Sequence, residues 1–190
     1  EDGKALILVD SSPDCRQQLL DADVQRLDAV IYTHAHADHI HGIDDLRSIN
    51  MAMNAPLPAY GDAKTLAALQ NRIGYVFAPL KRFEGRPLLF YKPALSPREI
   101  IGPFSVAGVH VIPFEQDHGF STTLGLRIGN FAYSTDVMRL DDAAFQTLDG
   151  VDTWIVDCYR HQSHPTHAHL ELTLSWIDRL RPRRAIICHM

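Results

Sequence analysis

Residues 34 to 41 read His-Ala-His-Ala-Asp-His-Ile-His, which sets four histidines and an aspartate in eight positions. Imidazole nitrogen and carboxylate oxygen are the donors that zinc, manganese or iron take. His34 and His36 alternate, so both side chains can face one way, while Asp38 and His39 follow on the turn, aimed at a neighbouring point. Two ligand pairs side by side imply two metal ions about 3.5–4 Å apart, the arrangement that clamps attacking and leaving oxygens in phosphate hydrolysis. The bland alternative is a histidine-rich surface loop, or a tag remnant, that binds nothing in particular. The position of the motif, between an amphipathic helix and a buried strand, speaks against it.

The elements that must hold these residues follow from hydrophobic patterning. Ala29 to Tyr32 is an apolar run long enough for one buried strand and Gly42 ends the periodicity, so the ligand types sit on a loop at the strand's carboxyl end. Upstream, Ala5 to Val9 is a second apolar strand ending at Asp10, and the turn 11–14 caps a helix through Leu20. Asp10 therefore lies at a strand end, where it serves either as a turn or helix-capping residue or as support for the metal loop. Ile43 to Met53 is expected as a helix with Ile43, Leu46, Ile49 and Met53 on one face, Pro56 to Tyr60 as a short strand, and Asp62 to Phe77 as helical. Lys81 to Arg98 is rich in Pro, Lys and Arg and is expected as a solvated connection, or as a lid with Phe90 and Tyr91 as apolar contacts.

Strands are expected at Val106 to Pro113, Thr122 to Ile128 and Phe131 to Ser134, the last two joined by the hairpin signal Gly129-Asn130. His118 precedes the second of these and Asp136 ends the third; His110, inside the first, competes with His118 but reads as packing. Asp141 to Leu148 is expected as a short helix and Thr153 to Val156 as a buried strand ending at Asp157-Cys158. The segment 160–169 then holds His161, His164, His167 and His169 ahead of a helix over Leu170 to Leu180. The strand from Arg184 delivers His189 at its carboxyl end, where open α/β architectures place their chemistry.

The His-x-His-x-Asp-His pattern of residues 34–39 resembles the signature of the metallo-β-lactamase superfamily. Asp117-His-Gly-Phe-Ser-Thr-Thr-Leu-Gly-Leu-Arg-Ile128, followed by Tyr133-Ser-Thr-Asp136, is similar to its phosphodiesterase branch, which includes the tRNA 3′-processing nucleases and the phosphoribosyl cyclic phosphate phosphodiesterase. The likeness spans nearly the whole chain. It matches neither the Gly-His-Thr of glyoxalase-like thioesterases nor true β-lactamases, which lack the Asp38 carboxylate.

The resemblance implies an α/β chain folded as a four-layer αββα sandwich, a single domain over 1–190; the opening Glu1-Asp-Gly-Lys without an initiator methionine, and the stop at Met190 directly after His189, read as ends cut from a longer protein. It implies two divalent ions, zinc or manganese: one held by His34, His36 and His118, the other by Asp38, His39 and His189, with Asp136 bridging through its two oxygens. It gives Asp10 the role of orienting the metal loop. The implied reaction is hydrolysis of a phosphodiester by a metal-bridging hydroxide, with Asp38 accepting a hydrogen bond from the nucleophile. A histidine at the start of the last helix would meet the substrate and protonate the leaving group; His167 matches best, with His169 two residues away as the alternative.

Composition narrows the substrate. A chain of 190 residues, 46% hydrophobic and 22% charged, suits one globular domain with a layered core. The net charge of −5, from 18 basic and 23 acidic residues, argues against a general nucleic-acid surface, and the long basic arm that holds tRNA has no counterpart. The expected substrate is thus a small cyclic or nucleotide phosphodiester, not a long nucleic acid. A tRNA 3′-processing-type endoribonuclease and a non-catalytic metal-binding regulatory module stand as alternatives, the second weakened because every ligand position is filled. Cys15, Cys158 and Cys188 are scattered and form no CxxC pair, which points to reduced thiols in the cytoplasm. No apolar run reaches the ~18 residues of a membrane span. A homodimer is compatible with this surface.

Overall fold

The computed structural model describes residues 5–189. They divide into two compact units, one formed by residues up to 101 with 106–108, the other by 102–105 with the residues from 109 onward.

The first unit is built on four parallel strands in the order β1 (Ile7–Val9), β2 (Ala29–Ile31), β3 (Leu57–Gly61) and β4 (Leu95–Glu99). Parallel neighbours need crossover connections, and helices supply them: α1 (Cys15–Asp21), the short α2 (Ala37–Ile40), α3 (Leu46–Met53) and α4 (Ala63–Ile73). All three residues of β2 are fully buried, as a strand covered on both faces requires. The expected stripe of Ile43, Leu46, Ile49 and Met53 packs into the core with Leu57, Leu69 and Val76. Buried Asn50 ties α3 to the approach to β4: its Nδ2 donates to the carbonyls of Ala55 and Ala94, and its Oδ1 accepts from Ala94 N at 2.9 Å. At Gly42 any side chain would collide with the start of α1, since a Cβ would stand 2.0 Å from Ser12 O and 2.6 Å from Cys15 Cβ. That glycine is what lets the histidine-rich segment close against α1.

One expectation fails in this unit. Residues 81–98 do not form an unbroken connection, because Leu95–Glu99 is a strand in register with β3, with Pro97 opposite Ala59. The prolines hid it; a strand at the sheet's edge tolerates the missing N–H that a central one would not. Phe90 is buried and its carbonyl accepts from Arg47 Nε at 2.7 Å, so it is core and not a lid contact, whereas Tyr91 is exposed.

The second unit carries a six-stranded sheet in the order β10 (Arg184–Cys188), β9 (Thr153–Asp157), β8 (Phe131–Ser134), β7 (Thr122–Ile128), β6 (Val109–Asp117) and β5 (Phe104–Val106). β8, β9 and β10 run parallel, and β6, β7 and β8 antiparallel. Gly129-Asn130 makes the expected two-residue hairpin, with Ile128 opposite Phe131. The strand expected at 106–113 is instead split: Ala107 and Gly108 take φ of 50° and 81°, a turn that ends β5 before β6 begins. Trp154, Val156, Leu148 and Trp176 centre the core, where Trp154 Nε1 donates to Ser134 Oγ at 3.0 Å. α5 (Asp142–Leu148) is capped by Asp141, which accepts from Ala144 N at 2.7 Å, and α6 spans Leu170–Leu180 as expected. The fold class is thus mixed α/β, with two sheets and flanking helices. No helix among the described residues is long and apolar enough to cross a membrane.

Candidate metal centre

In the first unit the histidine motif starts where β2 ends. Asp38 and His39 do not lie on an open turn, as expected, but on the four-residue helix α2, with His36 at its N-cap. His34 and His39 are each 5% exposed, while His36 and Asp38 face solvent. The donor atoms of His34 and His36 lie within 4.8 Å of each other, and His39 Nε2 stands 3.4 Å from Asp38 Oδ2.

Asp10 organises this loop. Its Oδ1 accepts from Thr33 N at 2.8 Å, and its Oδ2 accepts from Thr33 Oγ1 at 2.8 Å and from His39 Nδ1 at 2.7 Å. It makes no cap to α1, so of the two roles open from the sequence the structure shows support of the loop. These contacts also assign tautomers. Thr33 Oγ1 gives its one proton to Asp10 and so accepts from Nδ1–H of His34 at 3.0 Å; His34 and His39 thereby both keep Nε2 as a lone-pair donor. Asp10→Asn puts an amide N–H where the carboxylate accepts from Thr33 or His39. It is expected to lower metal affinity about 10–100-fold, measured by competition with a chromophoric chelator.

In the second unit, β6 ends at Asp117 and presents His118, 2% exposed, whose Nδ1 donates to Thr166 O at 2.7 Å and leaves Nε2 as the donor. Asp136, also 2% exposed, follows β8. Its Oδ2 stands 3.7 Å from His118 Nε2 and 3.9 Å from His167 Nε2, and its Oδ1 stands 3.7 Å from His189 Nδ1. One carboxylate thus addresses three imidazoles through two oxygens. His118 and His189 belong to two different candidate ligand groups, and Asp136 to both. Asp10, Asp136 and His189 take positive φ of 58°, 51° and 71°, left-handed turns that swing each side chain off the end of its strand.

His167 is gathered into this unit's cluster and His169 is not. The His167 ring lies 4.7 Å from that of His118 and 5.3 Å from that of His189, whereas His169 serves as the N-cap position of α6. His110 lies exposed on β6, with Ser105 Oγ 3.5 Å from its Nδ1 and no ligand group around it among the described residues.

Asp157 is the residue that sequence reasoning missed. Fully buried at the end of β9, its Oδ2 accepts from His167 Nδ1 at 3.0 Å and from Val137 N at 3.1 Å. The signal was available, since Asp157 closes an apolar strand just as Asp10 does. Burial, with the carboxylates of Asp157 and Asp136 adding to it, pushes the Cys188 thiol up to about 12.

The chemistry of the donor set fits divalent zinc or manganese: imidazole Nε2 atoms fixed by hydrogen bonds on Nδ1, with carboxylates beside them.

A family model described as a β-lactamase superfamily domain matches residues 6–190. The structure of a diphosphatase described as a member of the PhnP family is 31% identical, with a TM-score of 0.87 over 100% of this chain and 69% of that one. Human tRNase Z, short form, shares the fold at 13% identity, with a TM-score of 0.72 over 100% of this chain and 83% of that one. An octanoyltransferase of Porphyromonas gingivalis is 33% identical over 188 residues, which are 97% of this chain and 36% of that protein. The chain therefore spans about a third of the length of that curated relative.

Proposed function

This chain belongs to the β-lactamase superfamily, and we propose that it is a metal-dependent hydrolase that cleaves a small cyclic or nucleotide phosphodiester at a pair of divalent ions, zinc or manganese. The observation that carries the proposal is the Asp136 carboxylate, with one oxygen towards His118 and the other towards His189. His34, His36 and His118 would hold one ion and Asp38, His39 and His189 the other, with Asp136 shared, in a single domain. What such ions supply when bound is activation of water near neutrality and neutralisation of charge on the phosphoryl oxygens.

The rest falls to the chain's own side chains. His167 is tethered by Asp157, whose Oδ2 accepts from its Nδ1 at 3.0 Å, and its Nε2 is turned towards Asp136. From there it can hand a proton to the leaving oxygen, a step worth roughly 10²–10⁴-fold. It lies just before α6, whose N-terminal amides and positive dipole end favour an anionic phosphate. Asp38, whose side chain is 58% exposed, is suited to accept a hydrogen bond from the attacking nucleophile. The net charge of −5 favours a small substrate over a long nucleic acid. The free Cys15, Cys158 and Cys188 suit a reducing compartment such as the cytoplasm.

A second substrate has one observation in its favour: the 31% identical neighbour is described as a diphosphatase, and a phosphoanhydride would undergo the same attack at phosphorus with phosphate as leaving group. The decisive experiment strips the protein of metal and reloads it with zinc or manganese. Turnover is then measured on bis-p-nitrophenyl phosphate, cyclic nucleotides, a cyclic ribose phosphate, a nucleoside diphosphate and a short RNA. Diester turnover should rise to a plateau at two metal equivalents per chain. Hydrolysis of the diphosphate alone selects the second substrate, preference for the RNA selects the tRNA-processing type, and no turnover with two ions bound leaves only a regulatory module.

A further inference from the structure

We propose that Tyr159 and Phe120 form a stacking subsite for an aromatic leaving group, in the simplest case a nucleoside, so that the substrate is a nucleotide-bearing ester and not a bare sugar phosphate. This rests on His167 acting as the proton donor to the leaving oxygen, because whatever is packed around the donor lines the leaving group's side of the site.

Two aromatic residues are held there. Tyr159 follows β9, and its backbone N donates to Ala168 O at 3.0 Å, which fixes it across from His167. Its ring stacks on the His167 imidazole at 4.9 Å and 27° and leans on His164 at 4.8 Å, yet the residue stays 43% exposed. Phe120 is 92% exposed, although a phenyl ring gains most from burial, and it has no ring partner among the described residues. A single exposed aromatic is ordinary on any surface; what sets Phe120 apart is the turn that carries it.

The turn that carries Phe120 is pinned at three points. His118 N donates to Ser121 O at 2.9 Å, Gly119 N donates to Asp117 Oδ1 at 2.8 Å, and His118 Nδ1 donates to Thr166 O at 2.7 Å. Gly119, with φ of +76°, packs so closely that a Cβ would stand 2.5 Å from Pro165 O and 2.9 Å from Thr166 Cγ2. The backbone beside Phe120 therefore lies against the two residues that precede His167. A ring stacked on the proton donor, and a second exposed ring carried by a turn that packs against the residues just before it, suit a flat π-system, and stacking accepts any base because every base has a π-face.

The test compares adenosine 5′-monophosphate with ribose 5-phosphate, which share sugar and phosphate and differ by the base, by calorimetry on the metal-loaded protein. The wild type should bind the nucleotide roughly 5–100-fold more tightly, the range that stacking on one or two rings provides. Phe120→Ala and Tyr159→Leu should each erode that preference at least fivefold, with ribose 5-phosphate affinity moving less than twofold, while Tyr159→Phe keeps it. Equal binding of the two ligands by the wild type overturns the proposal, as does a parallel loss of both ligands in the variants, which would mark a structural role. In turnover, Phe120→Ala should lower kcat/KM at least fivefold for a dinucleoside monophosphate and less than twofold for the methyl ester of ribose 5-phosphate, a diester that carries no base. A uniform fall overturns the leaving-group placement. If the wild type turns over neither diester but keeps its preference for the nucleotide, the phosphodiesterase function fails and the base-binding site stands.

Discussion

Asp136→Ala should abolish turnover more completely than replacement of any single histidine of the 34–41 loop. Each loop histidine can serve one ion, whereas the Asp136 oxygens are shared between His118 at 3.7 Å and His189 at 3.7 Å. Removing one preorganised electrostatic contact costs roughly 10²–10³-fold in kcat, so losing a group that serves two positions should exceed roughly 10³-fold. The left-handed φ of 51° adds backbone strain for alanine, which makes Asp136→Asn the necessary companion. Asparagine tolerates that conformation and can still accept from Thr135 Oγ1, the 2.7 Å bond that holds the carboxylate. Both variants should lose activity on bis-p-nitrophenyl phosphate and metal by elemental analysis. Activity within tenfold of wild type, with both ions retained, would show that Asp136 does not bridge.

His167→Ala should lower kcat by roughly 10²–10⁴-fold while metal content stays at the wild-type level, the signature of a lost proton donor. His189→Ala should lose metal, because removing a ligand and removing a transition-state contact are separable effects. His169→Ala is the control and should turn over normally, since His169 occupies the N-cap position of α6 without a side-chain cap and belongs to neither candidate ligand group. Asp157→Asn should fall between them: the imidazole keeps a neighbour but loses the buried carboxylate oxygen that accepts from its Nδ1 at 3.0 Å and fixes which nitrogen faces Asp136. If His167→Ala strips an ion, His167 is a ligand and the proton must come from elsewhere. If His169→Ala is the inactive variant, the register of the loop has been misjudged.

Much of the scaffold was legible because it obeys local rules. The apolar run 29–32 could only be a buried strand, Gly129-Asn130 could only turn a hairpin tightly, and the bounds of α6 followed from its apolar stripe. Where local signals conflicted, reading failed. β4 was hidden by Pro97, which edge position excuses, and the β5–β6 turn by Ala107, an alanine in a left-handed conformation that nothing in its type announces. Phe90 stands in a segment rich in Pro, Lys and Arg that reads as a solvated connection or a lid, and only its burial, with its carbonyl held by Arg47 of α3, reveals it as core.

For the site itself, the amino-acid sequence alone determined the donor types and their spacing: His34, His36, Asp38 and His39 after one strand, and His118, Asp136 and His189 each at the end of another. These are local properties, because strand ends and loops are written in a few consecutive residues. Only the tertiary structure decided which nitrogen each imidazole presents. The tautomer of His39 depends on Asp10, 29 residues away, that of His118 on the carbonyl of Thr166, 48 residues away, and that of His167 on the Asp157 carboxylate at the end of β9. An imidazole states that a donor and an acceptor are present but not which nitrogen is which. The partner that settles it can come from anywhere in the chain, and folding is what brings it there.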